Sequence, residues 1–354
     1  MPVVLIVGGG IAGAAAALAL GKAAIDATIY EAHPLNSHDR GAFLTLASNG
    51  MHALRQFDAD IVISAMSAPL RTMRVCNGEG HEIATVPLGD IHDRAIGYRY
   101  LTRADLCSAL QREAQDRGIR IERGKRLIKV TCHRGGVTAV FSDGSRASGD
   151  VLIGADGLNS VVRTIIDPTA SPRRYAGQRI FYGYSTDTGM HSAPDHFSVI
   201  RGSAAFGYIV TGQGDTWWFC RVNDAELRRD EITSGTTAHW KAALINRLRD
   251  NQTPAAGIVG AAHRIMVTNA YDLPDVSRWH RDHMLIIGDA AHAASPATGQ
   301  GASMALEDAV VLAKSLRDAP DPTSAFIRYE QLRRDRVRAN ITASARMSSP
   351  IDRS

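Results

Sequence analysis

The feature that most constrains the fold is a glycine-rich turn between an apolar strand pattern and an alanine-rich helix pattern. Val3–Val7 is a short β-branched and apolar run, which is typical of a strand buried on both faces. The motif GGGIAG follows at Gly8–Gly13, with a helix pattern over Ile11–Lys22 and a second strand pattern over Ala27–Tyr30. This order predicts a βαβ unit of the kind that binds dinucleotides.

Each glycine of this motif has a separate role in binding a pyrophosphate. Gly8 allows the tight turn, Gly10 lets the pyrophosphate approach the backbone, and Gly13 allows the helix to pack closely on the strand. Glu31, about 20 residues further along, can accept hydrogen bonds from a ribose diol. We therefore predict a bound adenine dinucleotide, held by Gly8, Gly10, Ile11, Ala12, Gly13 and Glu31.

Composition restricts the class of protein and its partners. The 354 residues include 40 Lys and Arg and 36 Asp and Glu, for a formal net charge of +4, and these charges are dispersed. Such a balance argues against a nucleic-acid partner. The four cysteines show no CxxC spacing, which favours a reduced cytoplasmic protein without a zinc site or a disulfide framework. The apolar N-terminus lacks a basic region and is broken by glycines, so we expect neither a signal peptide nor stable membrane insertion.

The sequence pattern changes in the middle of the chain. From about residue 175, short aromatic-rich strands alternate with glycine-containing turns, which predicts an antiparallel sheet distinct from the βαβ unit. Helix patterns cover 227–249 and 323–347. Because no Pro/Gly/Ser linker separates two halves, we expect interleaved domains. The predicted division is 1–72, 98–174 and 266–320 for the dinucleotide-binding domain, 73–97 and 175–265 for a substrate-binding domain, and 321–354 for a C-terminal helix.

A second glycine-rich stretch, LIIGDAAHAASPATGQGASMALEDA, covers Leu285–Ala309. Gly-Asp ends an apolar strand pattern, small residues and Pro296 follow, and a helix begins near Gly299 and Gly301. Glycines leave backbone N–H groups uncovered at a helix N-terminus, where partial positive charge accumulates. We expect this place to bind an anion or an electron-rich heterocycle.

Three motifs now stand in order along the chain: GGGIAG…YEA at Gly8–Ala32, GDVLIGADGLNSVVR at Gly149–Arg163, and GDAAHAASPATGQGASMALEDA at Gly288–Ala309. Together they resemble the single-component FAD-dependent aromatic hydroxylases, the family of para-hydroxybenzoate hydroxylase. The resemblance spans most of the chain. It implies an α/β fold in which a Rossmann-type FAD-binding domain is interleaved with a smaller, mostly antiparallel β-sheet substrate domain and ends in a C-terminal helix.

The same resemblance assigns roles to single positions. Asp289 corresponds to the acid that binds the ribityl hydroxyls of the flavin, and Pro296 lies beside its ring. Asp156 and Gly157 match a central motif associated with both FAD and NAD(P)H. The full set of cofactor-binding residues implied by the resemblance is Arg40, Arg103, Asp156, Gly157, Arg163, Asp289, Pro296, Gly299, Gln300, Gly301 and Ala302.

The activity implied by the resemblance is monooxygenation. NAD(P)H as co-substrate reduces noncovalent FAD, O2 reacts to form a C4a-hydroperoxyflavin, and OH passes to an electron-rich carbon of an aromatic or polycyclic small molecule. No protein nucleophile or base is identified. Because side chains alternate along a strand, half of any aromatic strand can face the substrate, and the sequence does not say which half. The substrate-lining candidates are Tyr182, Tyr184, Phe206, Tyr208, Trp217 and Phe219.

Other activities stay open at this point. A second GxGxxG and a redox CxxC are both missing, which argues against a disulfide-reductase-like flavoenzyme. A flavin-dependent reductase, a Baeyer–Villiger-type oxygenase on the same fold and a flavin-binding accessory protein without turnover remain alternatives. His292 is interpreted as packing or polar support, not as a catalytic base. The oligomeric state is not predicted.

Overall fold

The computed structural model describes residues 2–34, 42–89, 93, 96–191, 193–249, 252–273 and 275–348. The strands are β1 (Val4–Val7), β2 (Ala27–Glu31), β3 (Phe43–Leu46), β4 (Ala68–Leu70), β5 (Thr72–Asn77), β6 (Glu82–Pro87), β7 (Tyr98–Thr102), β8 (Arg120–Arg123), β9 (Leu127–His133), β10 (Gly136–Phe141), β11 (Arg146–Gly149), β12 (Val151–Gly154), β13 (Arg174–Ser185), β14 (His196–Arg201), β15 (Ala205–Val210), β16 (Thr216–Asn223), β17 (Ala262–Asp272), β18 (His280–Arg281) and β19 (Met284–Ile286). The helices are α1 (Ile11–Lys22), α2 (Ser48–Gln56), α3 (Asp60–Met66), α4 (Arg103–Asp116), α5 (Val161–Ile166), α6 (Arg229–Ser234), α7 (Thr237–Leu248), α8 (Ala255–Gly260), α9 (Asp289–His292), α10 (Gly301–Asp318) and α11 (Pro322–Ser348).

The predicted βαβ unit lies at the centre of a six-stranded sheet with the order β18-β19-β12-β1-β2-β8. β1 pairs in parallel with β12 on one side and β2 on the other, and only β18 runs antiparallel. The four residues of β1 are buried, as the apolar run Val3–Val7 predicts. α1 packs against α4 and α10. The carboxyl ends of β1, β12 and β19 therefore meet at the same edge, where parallel folds place their ligands.

The glycines of the first turn have the geometry that their predicted roles require. Gly8 has φ +105°, which an L side chain rarely adopts. A Cβ on Gly13 would lie 1.9 Å from the Gly8 carbonyl oxygen, so any larger residue would push α1 away from β1. A Cβ on Gly10 would meet nothing within 4 Å, so this backbone faces open space. The turn is thus closed on its helix side and open towards the cavity described below.

A seven-stranded sheet forms the second layer, in the order β17-β13-β16-β15-β14-β5-β6. It is antiparallel except for the β14–β5 pair. One face packs against α7 and α8 in a separate apolar core that includes Trp218, Phe206 and Cys220. The predicted fold class, a Rossmann-type sheet combined with a mostly antiparallel one and a long C-terminal helix, is confirmed.

The exact limits of some predicted elements need correction. The single helix expected over 227–249 is two helices, α6 and α7, because the chain turns at Gly235. A Cβ there would lie 2.1 Å from the Trp240 ring, and Thr236 caps α7 by accepting from the His239 N–H. The predicted domain boundary between 265 and 266 falls inside β17. The domain division stays a prediction.

The smaller sheets and turns form where the local sequence favours them. The Asp143-Gly144 turn joins β10 to β11 in an antiparallel hairpin, with φ +82° at Gly144. β3, β7 and β4 form a further three-stranded sheet, which carries Phe43 and Tyr100. Among the helices of the described ranges, none combines the length and the apolar character needed to cross a bilayer.

Candidate functional site

A cavity of about 910 Å³ is lined by the segments that follow β1, β12 and β19, by the seven-stranded sheet and by the N-terminus of α10. The first turn of the βαβ unit contributes Gly10, and the strand before α9 leads to Asp289. The seven-stranded sheet contributes Tyr182 and Phe219 from the opposite side of the cavity. One cavity therefore joins the nucleotide-binding turn to the aromatic sheet.

Most of the predicted cofactor residues line this cavity. The residues that do so are Gly10, Ile11, Ala12, Arg103, Gly157, Asp289, Pro296, Gly299, Gln300, Gly301 and Ala302. Gly8, Gly13, Glu31, Asp156 and Arg163 are not among the lining residues. Arg40 lies outside the described residues. Sequence motifs more than 100 residues apart are thus brought to one surface.

Glu31 lies at the end of β2, beside the glycine turn. Its Oε2 accepts a hydrogen bond from the Gly9 N–H at 2.6 Å, and its Oε1 accepts from the His33 N–H at 2.8 Å. Both oxygens are therefore held by backbone donors. This fixes the carboxylate at the entrance of the first turn, next to the position where a ribose diol is predicted.

Asp156 and Arg163 stabilise the loop after β12. The Asp156 carboxylate accepts from Ser160 Oγ at 2.5 Å and from the Val161 N–H at 2.7 Å, which caps α5. Burial raises the pKa of Asp156 and these donors oppose the shift. The Arg163 guanidinium is 4% exposed and donates to the Ala290 carbonyl at 2.9 Å. Arg163 thus ties α5 to α9 from behind the cavity wall.

The Asp289 motif presents its polar groups to the cavity. Asp289 is the first residue of α9 and is exposed, because Gly288 turns the chain with φ +59°. Gly299 is left-handed with φ +66° and ends the turn that begins at Pro296. The 18-residue helix α10 then begins at Gly301, so its first N–H groups and their partial positive charge face the same space.

A buried ionic network behind this motif was not predicted as a unit. The Asp308 carboxylate is fully buried and accepts from the Gly288 N–H at 2.8 Å, from His292 Nε2 at 2.6 Å and from Arg333 Nε at 2.7 Å. Arg333 also donates to Glu307 at 2.5 Å. This is the polar support expected of His292. The only sequence signal for its partners was the acidic end of the third motif, Glu307-Asp308.

The network changes the pKa values of its members. Burial acts to lower the pKa of His292, but the Asp308 carboxylate outweighs burial, so this pKa is raised. Burial acts to raise the pKa of Asp308, but His292 and Arg333 outweigh it, so this pKa is lowered. Both shifts favour the ion pair. The short helix α9, which carries Asp289 and His292, is therefore anchored by an ion pair.

The six aromatic candidates divide between the two faces of the seven-stranded sheet. Tyr182 and Phe219 are opposite each other in the β13–β16 register and both line the cavity. Tyr184 and Trp217 are the next pair on this face, and they pack beside the cavity with ring centroids 5.4 Å apart. Trp217 also packs on Tyr100 at 5.6 Å.

Phe206 and Tyr208 were also predicted to line the substrate pocket, and for these two residues the prediction is wrong. They lie on the opposite face, in the core under α7 and α8, at 1% and 7% exposure. Their register partners Cys220 and Trp218 share that face, because directly paired residues point to the same side of a sheet. Neither Phe206 nor Tyr208 lines the cavity.

Polar cavity residues on the second sheet were also missed by the sequence analysis. Gln178, Arg201 and Arg221 line the cavity from β13, β14 and β16. The sequence analysis identified these strands by their aromatic residues. A polar or charged residue within such a strand has no sequence pattern of its own that would mark it as a cavity residue.

Comparison with known proteins places this architecture in a family. Residues 1–344 match the family described as FAD binding domain. The chain is 31% identical over 355 residues to the aurachin C monooxygenase/isomerase of Stigmatella aurantiaca, covering 97% of this chain and 88% of the relative. It is 31% identical over 344 residues to an FAD-dependent urate hydroxylase of Klebsiella pneumoniae, covering 94% of this chain and 86% of that relative.

Solved structures give the same result. The structure of Klebsiella pneumoniae HpxO complexed with FAD and uric acid matches with a TM-score of 0.85 and 27% identity, over 98% of this chain and 87% of that chain. A variant of HpxO complexed with FAD matches with a TM-score of 0.86 and 27% identity, over 98% of this chain and 90% of that chain. The chain therefore belongs to the FAD-binding-domain family, and it is an FAD-dependent monooxygenase related to the single-component aromatic hydroxylases.

Proposed function

We propose that this protein uses NAD(P)H and O2 to hydroxylate an aromatic or polycyclic small molecule, with noncovalent FAD bound in the cavity. The observation that carries the proposal is the continuity of this cavity. Its lining includes the Asp289 motif and the N-terminus of α10 on one side and the aromatic pair Tyr182 and Phe219 on the other. A flavin held by the first group would face a substrate held by the second.

The residues at the end of the cavity near Asp289 and α10 have the properties that FAD binding requires. A Cβ on Gly10 or on Gly301 would meet nothing within 4 Å, so both backbones can approach a ligand closely. Gln300 Oε1 is buried without a hydrogen-bond partner in the described part of the chain, which leaves an acceptor available at the helix start. Arg103 begins α4 and adds a guanidinium to the lining, where diphosphate oxygens would pair with it.

Each group then acts on the flavin in a defined way. The exposed Asp289 carboxylate can accept from ribityl hydroxyls, and a charged acceptor makes such bonds strong. The N–H groups at the start of α10 would stabilise negative charge on the pyrimidine edge of the ring, which favours the reduced cofactor. FAD bound here supplies hydride acceptance from NAD(P)H and the activation of O2.

The second sheet supplies the environment for the substrate. Tyr182 and Phe219 present flat apolar surfaces, and Phe197 packs on Phe219 with ring centroids 6.2 Å apart. Aromatic rings stack on or pack edge-to-face against planar ligands. Enclosing the reactive edge of the flavin in such a surface excludes water and protects the oxygen-transfer step.

The experiment is a stoichiometry measurement on the FAD-loaded enzyme with 18O2. Ligands that accelerate NADH or NADPH oxidation are first selected from a panel of phenols and nitrogen heterocycles. We expect one NAD(P)H and one O2 consumed per product, with one labelled oxygen atom in that product. Turnover without O2 consumption would identify a reductase, and unlabelled product would refute oxygenation. A lactone or ester product would identify a Baeyer–Villiger outcome. Flavin reduction that no ligand stimulates would favour an accessory role.

A further inference from the structure

Three consecutive glycines, Gly8–Gly10, form the first turn of the βαβ unit. Glycine loses more conformational freedom on folding than any other residue, and a peptide bond between two glycines rotates with little steric resistance. Contacts from outside the turn are therefore needed to hold each peptide in one orientation. The peptide between Gly9 and Gly10 lies at the edge of the cavity, because Gly10 lines the cavity and Gly9 does not.

Both polar backbone atoms of Gly9 are held by side chains from other elements. Its N–H donates to Glu31 Oε2 at 2.6 Å. Its carbonyl oxygen accepts from Gln111 Nε2 at 2.5 Å and from Cys107 Sγ at 3.4 Å, and these two residues lie one turn apart on α4. Burial raises the pKa of the Cys107 thiol, so this group stays a protonated donor. Gly9 is thus held from two sides.

The orientation of the Gln111 amide is fixed by its two partners. Gln111 is 7% exposed, and its Oε1 accepts from Arg123 Nη2 at 2.7 Å. A guanidinium only donates hydrogen bonds, and a carbonyl oxygen only accepts them. The amide nitrogen must therefore face the Gly9 carbonyl, since a rotated amide would lose both bonds. The strand β8, which carries Arg123, supports the contact between α4 and the glycine turn.

The bond to the Gly9 carbonyl also decides where the Gly10 N–H points. In a planar trans peptide the carbonyl oxygen and the N–H point in opposite directions. The carbonyl faces Gln111 and Cys107, neither of which lines the cavity. The Gly10 N–H is therefore directed to the other side of the turn, and it has no protein acceptor within the described ranges. A Cβ on Gly10 would meet nothing within 4 Å, so the backbone is open there.

We infer that Gln111 is a positioning residue for FAD, which holds the Gly9–Gly10 peptide so that the Gly10 N–H donates to an oxygen of the diphosphate. This inference rests on the proposed position of FAD in the cavity and is independent of the reaction that the bound flavin performs. Without the Gln111 amide the peptide can rotate. Rotation replaces the N–H donor by a carbonyl oxygen, which repels a phosphate.

The test compares the Kd for FAD among variants of the full chain, by fluorescence titration. Gln111→Met keeps the length of the side chain, introduces no charge and removes both hydrogen bonds. A neutral hydrogen bond corresponds to about a 2- to 12-fold effect, so we expect the Kd to rise by that factor. Gln111→Glu keeps the bond to Arg123 but places an acceptor against the Gly9 carbonyl, which enforces the rotation. Losing a hydrogen bond to a charged group corresponds to about a 10- to 150-fold rise.

Two further variants separate positioning from folding. Gln115→Glu is the matched control, because Gln115 is exposed on the same helix, and its Kd should equal that of the parent. Arg123→Met removes the partner that orients the Gln111 amide, at a position that is only partly buried. It should raise the Kd by about 2- to 12-fold and carries the test if neither Gln111 variant folds.

The 31P NMR spectrum of the FAD-saturated proteins gives a readout that a general structural role would not move. The two phosphorus resonances report on the groups around the diphosphate, whereas flavin absorbance reports on the ring. We expect Gln111→Met to shift at least one phosphorus resonance and to keep the flavin spectrum of the parent. Gln115→Glu should leave both resonances in place.

The outcomes distinguish this inference from the proposed function. A Kd for FAD in Gln111→Met equal to that of the parent, or a raised Kd with both phosphorus resonances unshifted, would overturn the positioning role. Such a result together with labelled product from 18O2 would leave the monooxygenase function intact. A raised Kd and a shifted resonance, in an enzyme that labels no product, would support the positioning role and refute the function.

Discussion

Asp308→Asn should destabilise the protein by removing the centre of the buried network behind the flavin motif. The carboxylate accepts three hydrogen bonds, from the Gly288 N–H, His292 and Arg333, at 2.8, 2.6 and 2.7 Å. An amide can keep only part of these contacts and leaves the Arg333 charge buried. Removing one partner of a buried ion pair costs about 3–5 kcal/mol.

The expected change in melting temperature follows from the length of the chain. With an unfolding entropy of about 2.1 cal/mol/K per residue, a loss of about 4 kcal/mol in 354 residues lowers the melting temperature by about 5 °C. Differential scanning calorimetry of both proteins measures it. Asp318→Asn is the matched control on the same helix, because Asp318 forms only an exposed ion pair with Arg317. Its melting temperature should equal that of the parent. A midpoint for Asp308→Asn within about 1 °C of the parent would refute the reasoning.

The pH dependence of this difference tests the charges themselves. The raised pKa of His292 means that its contribution is complete below about pH 6.5 and is lost as the pH rises through the folded-state value. The lowered pKa of Asp308 means that its contribution is complete above about pH 3.9 and is lost as the pH falls through its folded-state value. The difference in melting temperature between the parent and Asp308→Asn should therefore be largest between these two pH limits. It should shrink at alkaline pH. A gap that grows from pH 6 to pH 9 would contradict the ion pair.

Three other substitutions test the cavity and the first turn. Asp289→Ala should raise the Kd for FAD by about 10- to 150-fold for each hydrogen bond lost, and fluorescence titration showing an unchanged Kd would remove Asp289 from the proposed site. Gly301→Val should lower the midpoint potential of flavin-saturated protein by roughly tens of millivolts, and a dye-coupled titration giving an equal or higher potential would mean that α10 faces another group. Gly13→Ala should prevent close packing of α1, since its Cβ would lie 1.9 Å from the Gly8 oxygen. Gly21→Ala on the same helix, where the nearest atom is 3.4 Å away, should be tolerated, and equal thermal stability of these two variants would contradict the packing argument.

The motifs in the sequence were sufficient to predict the βαβ unit at the centre of the first sheet. The βαβ unit is a local structure, so its strand, turn and helix signals lie within 30 residues of one another. Gly8 and Gly13 are required there by a positive φ and by a backbone contact, and both requirements act over a few residues. The same holds for Gly288 and Gly299 in the third motif. Such constraints restrict the residue type directly, which is why a pattern of glycines could be interpreted without the fold.

Only the tertiary structure decided which side chains meet in the cavity. Tyr182 and Phe219 face it while Phe206 and Tyr208 lie in a separate core, because the pairing of strands far apart in sequence decides which alternate residues point inward. A shift of one residue in that register would exchange the two sets. The placement of Arg221 and Arg201 on one face of the sheet depends on the same pairing across β14, β15 and β16. Local sequence carries no information on such long-range register, so the arginines on the cavity face of the second sheet became apparent only in the folded chain.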